Sequence, residues 1–174
     1  ITDTSMEFVS GFDPDNKWNM TDEETGKAYK ICVDIRKGKE RMMMREFVPY
    51  ECIYLIGSAC SAGWDISNAL PMNVDADSPY LLSWEGPLSE GELKFTCDKR
   101  SDWGGAWLLA DKNGKNPTGE QERLLFIDKA DEWFKAQYLD TAVGDIDQKW
   151  NIPSAGTYSI TLDQLNETVT IIKK

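Results

Sequence analysis

The chain has 174 residues, enough for one ordinary domain or for one domain and part of another, and 30 Asp and Glu against 19 Lys and Arg give it a formal charge of −11. Such a charge repels phosphate backbones and anionic lipid, so nucleic acid is excluded as a natural partner. There is no histidine, which removes Ser–His and Cys–His nucleophile pairs, histidine bases and histidine metal ligands in one step.

The first 48 residues hold two strand patterns. Residues 15–20 (DNKWNM) lead through a polar loop to Tyr29-Lys30-Ile31-Cys32-Val33-Asp34, and a charged turn then leads to Glu40-Arg41-Met42-Met43-Met44. Phe47-Val48-Pro49-Tyr50 reads as a linker, because Pro49 cannot continue a strand ladder. Residues 52–72 (CIYLIGSACSAGWDISNALPM) open with an apolar run that stops at Gly57, the pattern of a buried strand ending in a turn. A loop of small residues follows, with Trp64-Asp65 at its tip. A large aromatic there is either a plug for the end of a sandwich or a platform for a ligand.

Downstream, residues 80–86 and 91–97 read as strands separated by a Pro-Leu-Ser-Glu turn. In the second, Leu93, Phe95 and Cys97 share one face, while Glu92, Lys94 and Thr96 share the other, taken as the solvent face. Further strands are expected at 105–110, 123–128, 132–138, 158–163 and 168–172, with one brief helical turn at 128–131. Short strands at regular spacing, with turn signals between them, predict an all-β antiparallel β-sandwich.

Residues 147–152 (DQKWNI) repeat the earlier DNKWNM, and each copy is followed by a Tyr-led strand and a second strand after a charged turn. The repeat extends upstream to Met6-Glu7-Phe8-Val9 against Trp133-Phe134-Lys135-Ala136. Residues 1–48 therefore read as the C-terminal half of a preceding module and 49–174 as a complete copy. The expected organisation is tandem modules, the first of them a processed or truncated piece.

The four cysteines (Cys32, Cys52, Cys60, Cys97) form no CxxC motif and are taken as small buried hydrophobes, with a Cys52–Cys60 or Cys60–Cys97 bridge as the alternative. Asp75-Ala76-Asp77-Ser78 and Asp145-Ile146-Asp147 fall short of a calcium loop. No metal, no cofactor and no enzymatic activity are expected, since no nucleophile–base constellation is visible. No apolar run spans a bilayer and no signal peptide is visible.

Of seven tryptophans, Trp18 and Trp150 recur in the repeat and read as fold determinants, and Trp84 alternates with Leu82 on a core face. Trp133 fits core or surface equally. Trp64, Trp103 and Trp107 lie in small-residue or Gly-rich connections, where aromatics serve recognition more often than in strands. With Lys94 and Asp102 they make a candidate sugar site: rings stack on pyranose C–H faces while the charged groups hydrogen-bond hydroxyls.

Four motifs in order, IYLIGSACSAGWDISNALPM, LLSWEGPLSEGELKF, DWGGAW and GTYSITLDQLNETVTI, resemble the SusE/SusF family of outer-membrane surface lipoproteins across residues 50–174. The resemblance implies immunoglobulin-like or carbohydrate-binding-module-like sandwiches in tandem, which bind starch or another glycan without cleaving it. It also implies a lipid-anchored position at the cell surface, beside an outer-membrane transporter and partner lipoproteins. The site residues it implies are Trp64, Lys94, Trp103 and Trp107. A structural spacer without its own ligand is the other reading of the same residues.

Overall fold

The computed structural model describes residues 3–6, 17–131 and 146–174. The chain divides into two compact units, Ile1–Val48 and Pro49–Lys174. In the first unit, β1 (Asp3–Ser5), β2 (Tyr29–Asp34) and β3 (Arg41–Glu46) form an antiparallel sheet in the order β1-β3-β2.

The second unit contains β4 (Tyr54–Ile56), β5 (Leu70–Pro71), β6 (Asn73–Val74), β7 (Leu81–Leu88), β8 (Gly91–Thr96), β9 (Ala106–Ala110), β10 (Gln121–Asp128), β11 (Trp150–Ile152), β12 (Gly156–Asp163) and β13 (Thr168–Lys173). Every strand pairing in it is antiparallel, and the order is β5-β4-β8-β9-β10-β13-β12-β7-β6, with β11 paired to β8. The fold is therefore all-β and antiparallel, as the short, regularly spaced strand patterns with turns between them predict.

The two sheets meet at β10. Its first residues, Gln121 to Arg123, pair with β13, whereas Leu124 to Asp128 pair with β9. A strand that changes sheets makes the corner of a sandwich. On β12, Tyr158, Ile160 and Leu162 alternate into the core, and Val169 and Ile171 do the same on β13. They meet Leu93, Phe95, Leu108 and Phe126 from the facing sheet. Trp150 lies at 0% exposure, its ring edge-on to Phe95 at 5.6 Å, and its indole N–H donates to Glu122 at the corner.

Several expectations change. The turn after residue 86 starts later, because Pro87 and Leu88 continue β7 opposite Thr157 and Gly156. Pro87 lies beyond the stretch that β6 covers, where no neighbour on that edge needs its N–H. Residues 128–131 form no helix. Instead Asp128 accepts the N–H groups of Ala130 and Asp131, and the one short 3-10 turn among the described residues is Ile66–Asn68. All four cysteines are free, so neither alternative bridge forms, and of the expected buried thiols Cys60 and Cys97 are buried while Cys32 and Cys52 are only partly so. The expected strand at 132–138, and the repeat correspondence of 6–9 with 133–136 apart from Met6, fall on residues outside those described.

Residue 57 needs glycine. Its φ is +140°, and a Cβ there would stand 2.2 Å from the Glu92 carbonyl oxygen, so the loop after β4 can approach β8 only without a side chain.

The two hairpins of the repeat pair alike. Tyr29 opposes Glu46 and Asp34 opposes Arg41; Tyr158 opposes Lys173 and Asp163 opposes Thr168. The Tyr29 hydroxyl donates to the Glu24 carbonyl and the Tyr158 hydroxyl to that of Ser154, both at 2.8 Å. Asp34 and Asp163 each accept the N–H two residues on.

Candidate functional site

Trp64 owes its position to a closed loop. Gly57 N–H donates to Gly63 O, Cys60 N–H to Gly57 O and Gly63 N–H to Cys60 O, so residues 57–63 form a ring. Three further bonds pin that ring to the β7–β8 turn: Ala59 N–H to Glu92 O, Ser89 N–H to Ala59 O and Glu92 N–H to Ser58 Oγ. On its other side Asp65 caps the 3-10 turn, accepting from Ser67 N–H, the Ser67 hydroxyl and the Asn68 amide. Trp64 thus sits between two fixed segments, with its side chain 38% exposed.

Trp103 comes from the β8–β9 connection. Its φ of +59° is unusual for a bulky residue and costs on the order of 1 kcal/mol. The turn is held by Trp103 N–H to Arg100 O, by Gly104 N–H to Asp102 Oδ1 and by Asp98 accepting Ala106 N–H. Thr96 Oγ1 also donates to the Asp98 carbonyl. Stacking offsets the strain: the Trp103 and Trp107 rings lie 2° from parallel with centroids 5.5 Å apart, and Trp107 Nε1 donates to Trp103 O.

The site differs from the expectation at Lys94. Register sets Lys94, Thr96 and Trp107 on the face of β8–β9 away from Phe95, as the alternation implied. That face is covered rather than solvated. Lys94 is 4% exposed, and its ammonium lies 4.0 Å from the Trp107 ring centroid, 5.2 Å from that of Trp103 and 5.5 Å from that of Trp64. It donates to Asp147 Oδ1 at 2.6 Å. Burial pushes the Lys94 pKa below its usual value against the pull of Asp147. Burial would raise the Asp147 carboxyl, but the ammoniums of Lys94 and Lys149 outweigh it and hold that carboxyl below its ordinary value.

Trp107 is also interior, at 1% exposure under the Trp103 ring. It backs the cluster from beneath and presents no face to a ligand. Asp102 is exposed, and Arg100 grips it through both oxygens, at 3.1 and 2.7 Å. Of the five sequence candidates, Trp64, Lys94, Trp103 and Trp107 therefore form one cluster, with Trp64 outermost, whereas Asp102 is committed to its own turn.

Two members lie outside the sequence candidates. Asp147 bridges Lys94 and Lys149, and the Lys149 ammonium stands 5.8 Å from the Trp64 centroid. Both belong to the DQKW repeat, whose tryptophan reads as a fold determinant and whose Asp147 figures in the sequence only as part of an incomplete calcium loop. Chemically the cluster is an aromatic nest already filled by the protein's own ammonium. It leaves Trp64 exposed, Trp103 partly buried beside it, and a Lys–Asp pair at the rim. No grouping of metal-ligating side chains occurs among the described residues.

Fold and site together define an all-β antiparallel domain with a rigid aromatic surface patch. No family model and no curated protein matches the chain. Among solved structures it is similar to SusF from Bacteroides thetaiotaomicron, at 17% identity and a TM-score of 0.49, over 75% of this chain and 26% of that one. The chain thus spans about a quarter of SusF's length.

Proposed function

We propose that residues 49–174 form a non-catalytic glycan-binding module. The observation that carries this reading is the exposed Trp64 indole, held between two hydrogen-bonded segments and inclined at 52° to Trp103 with centroids 6.4 Å apart. The exposed Trp64 ring, with the partly buried Trp103 beside it, offers an apolar surface on which a sugar ring can lay its C–H face. Lys149 and Asp147 at the rim supply a donor and acceptors for ring hydroxyls. Lys94 contributes from below, fixing the rings rather than touching sugar.

In this reading the ligand is a neutral polysaccharide, starch or another glycan, held at the outer-membrane surface by a lipid-anchored protein beside a transporter. One such site binds modestly, and tandem sites add strength through avidity. Burial of Trp107 favours the alternative of a spacer whose aromatics only pack, so the experiment must separate the two. In affinity electrophoresis through gels containing soluble polysaccharides, starch among them, one glycan should retard the protein. Trp64→Ala, shown to be folded by circular dichroism, should abolish most of that retardation. Retardation unchanged in Trp64→Ala would sink the platform, and none with any glycan would leave the spacer.

We also propose that residues 1–48 are the closing part of a second module of this kind. Support comes from the shared hairpin register and from burial at matched positions. Trp18 is 46% exposed where Trp150 is 0%, and Ile31 is 61% exposed where Ile160 is 0%. Met20 and Val33 are likewise exposed, against the buried Ile152 and Leu162. An apolar face of this kind normally meets a facing sheet.

A further inference from the structure

The second sheet carries a groove that the aromatic cluster does not use. It has a volume of about 260 Å³ and lies on the outer face of β7, β12, β13 and β10. Strand register builds its floor. Ser83 opposes Thr161, Thr161 opposes Thr170 and Thr170 opposes Gln121, so four polar, uncharged side chains stand in one line across four strands. They point outward because their neighbours Leu82, Leu162 and Val169 are buried. At a strand spacing of about 4.8 Å the line runs roughly 14 Å.

The rim is fixed by the protein itself. Asp75 accepts the N–H groups of Asp77 and Ser78, and Asp163 those of Leu165 and Asn166. Gln121 Nε2 donates to Thr168 Oγ1 at 3.1 Å. The hydroxyls of Ser83, Thr161 and Thr170, by contrast, make no hydrogen bond to the protein among the described residues. Each keeps one donor and two acceptor positions open toward the groove.

These features narrow the ligand by elimination. Two carboxylates on the rim and a net charge of −11 disfavour an anion. A peptide strand adds to the edge of a sheet, but here the backbone beneath the groove is already paired on both sides along β12 and β13. An apolar ligand would strip water from the hydroxyls without replacing their bonds. A cation would meet rim carboxylates already engaged by backbone N–H groups and no charge on the floor, so a neutral, hydroxyl-rich ligand fits best. The volume falls just below the usual range for ligand sites, about 300–1,000 Å³, which suits a short segment rather than a large molecule.

We propose that this groove is a second saccharide-binding surface, on the other sheet from Trp64, gripping a short segment of a neutral glycan through hydrogen bonds alone. The choice of saccharide among neutral polyols rests on the glycan-binding reading above. The test is a titration of the 15N-labelled chain with maltoheptaose and with cellohexaose, with glycerol as control. Wild type, Trp64→Ala and the double variant Thr161→Val/Thr170→Val are compared, the last keeping β-branched shape without hydroxyls. Amide shifts at Ser83, Thr161 and Thr170 should appear with one oligosaccharide, persist in Trp64→Ala and weaken on the order of tenfold in the double variant. Shifts confined to the Trp64 loop, unchanged affinity in the double variant, or equal shifts with glycerol would each overturn the proposal. Shifts in the groove with a silent Trp64 loop would instead refute the aromatic platform and leave the groove standing.

Discussion

The Lys94–Asp147 pair separates a buried charge from the shape of the side chain that carries it. Asp147→Asn keeps volume but removes the carboxylate 2.6 Å from a 4%-exposed ammonium, leaving Lys94 near a second cation, Lys149. Removing one partner of a fully buried pair costs about 3–5 kcal/mol. Here the Asp147 side chain is 45% exposed, so water replaces part of the lost partner and about 1–3 kcal/mol is expected. At a urea slope of roughly 2 kcal/mol per molar, that lowers the unfolding midpoint by about 0.5–1.5 M. Lys94→Met fills the same space with an apolar chain, still packs on three indoles, and forgoes ion desolvation. Its cost is within about 1 kcal/mol of zero, and the double variant should recover most of what Asp147→Asn loses. Urea unfolding followed by tryptophan fluorescence reads all four proteins. If Lys94→Met falls as far as Asp147→Asn, the ammonium is a net support of the nest and the reasoning fails.

Glu122 should set the acid sensitivity of the corner: burial raises its pKa, but the Thr118 hydroxyl, Lys115, the Thr118 N–H and the Trp150 indole outweigh this and hold it at about 2. Since the folded value lies below the usual 4.5, its contribution is fully present above about pH 4.5 and fades as pH falls toward 2. Glu122→Gln should lower the urea midpoint at neutral pH and flatten its decline between those limits; an unchanged slope would show that another group governs it. The incomplete-module reading of residues 1–48 predicts that Ile31→Lys changes the stability of this chain by no more than about 0.5 kcal/mol, whereas Ile160→Lys costs more than about 4. Equal losses in thermal unfolding would mean that Ile31 is covered too.

How much of this was legible depends on which physical signal each residue carries. The alternation of Tyr158, Ile160 and Leu162 fixes the strand and its inward face, and the structure keeps both. The alternation around Lys94 was equally readable and gave the right face, but alternation states only that a residue points away from Phe95. What covers that face comes from Trp103, 9 residues later, and Asp147, 53 residues later, and no local period encodes such distant contacts. The small residues around Trp64 leave plug and platform open, and the structure leaves it exposed, whereas Trp107 lies in the strand expected at 105–110 yet is grouped with the loop aromatics because of its Gly-rich flank. The two-residue strands β5 and β6 are too short for a period to show. The groove was invisible for a different reason: Ser83, Thr161, Thr170 and Gln121 become neighbours only through the register of four strands.

The division of β10 between two sheets also bears on how the second unit comes apart. Residues 121–123 are bonded to β13 and residues 124–128 to β9, with no loop between to absorb a separation. Peeling either sheet away pulls on a strand that the other still holds, and it exposes Leu124 and Phe126 from the common core at once. A sandwich hinged on one continuous strand has no natural halfway state. Its sheets should form and dissolve in a single cooperative event, with β10 ordering only once residues as far apart as Leu109 and Thr170 are in place, and slow folding is the expected consequence of joining such distant segments.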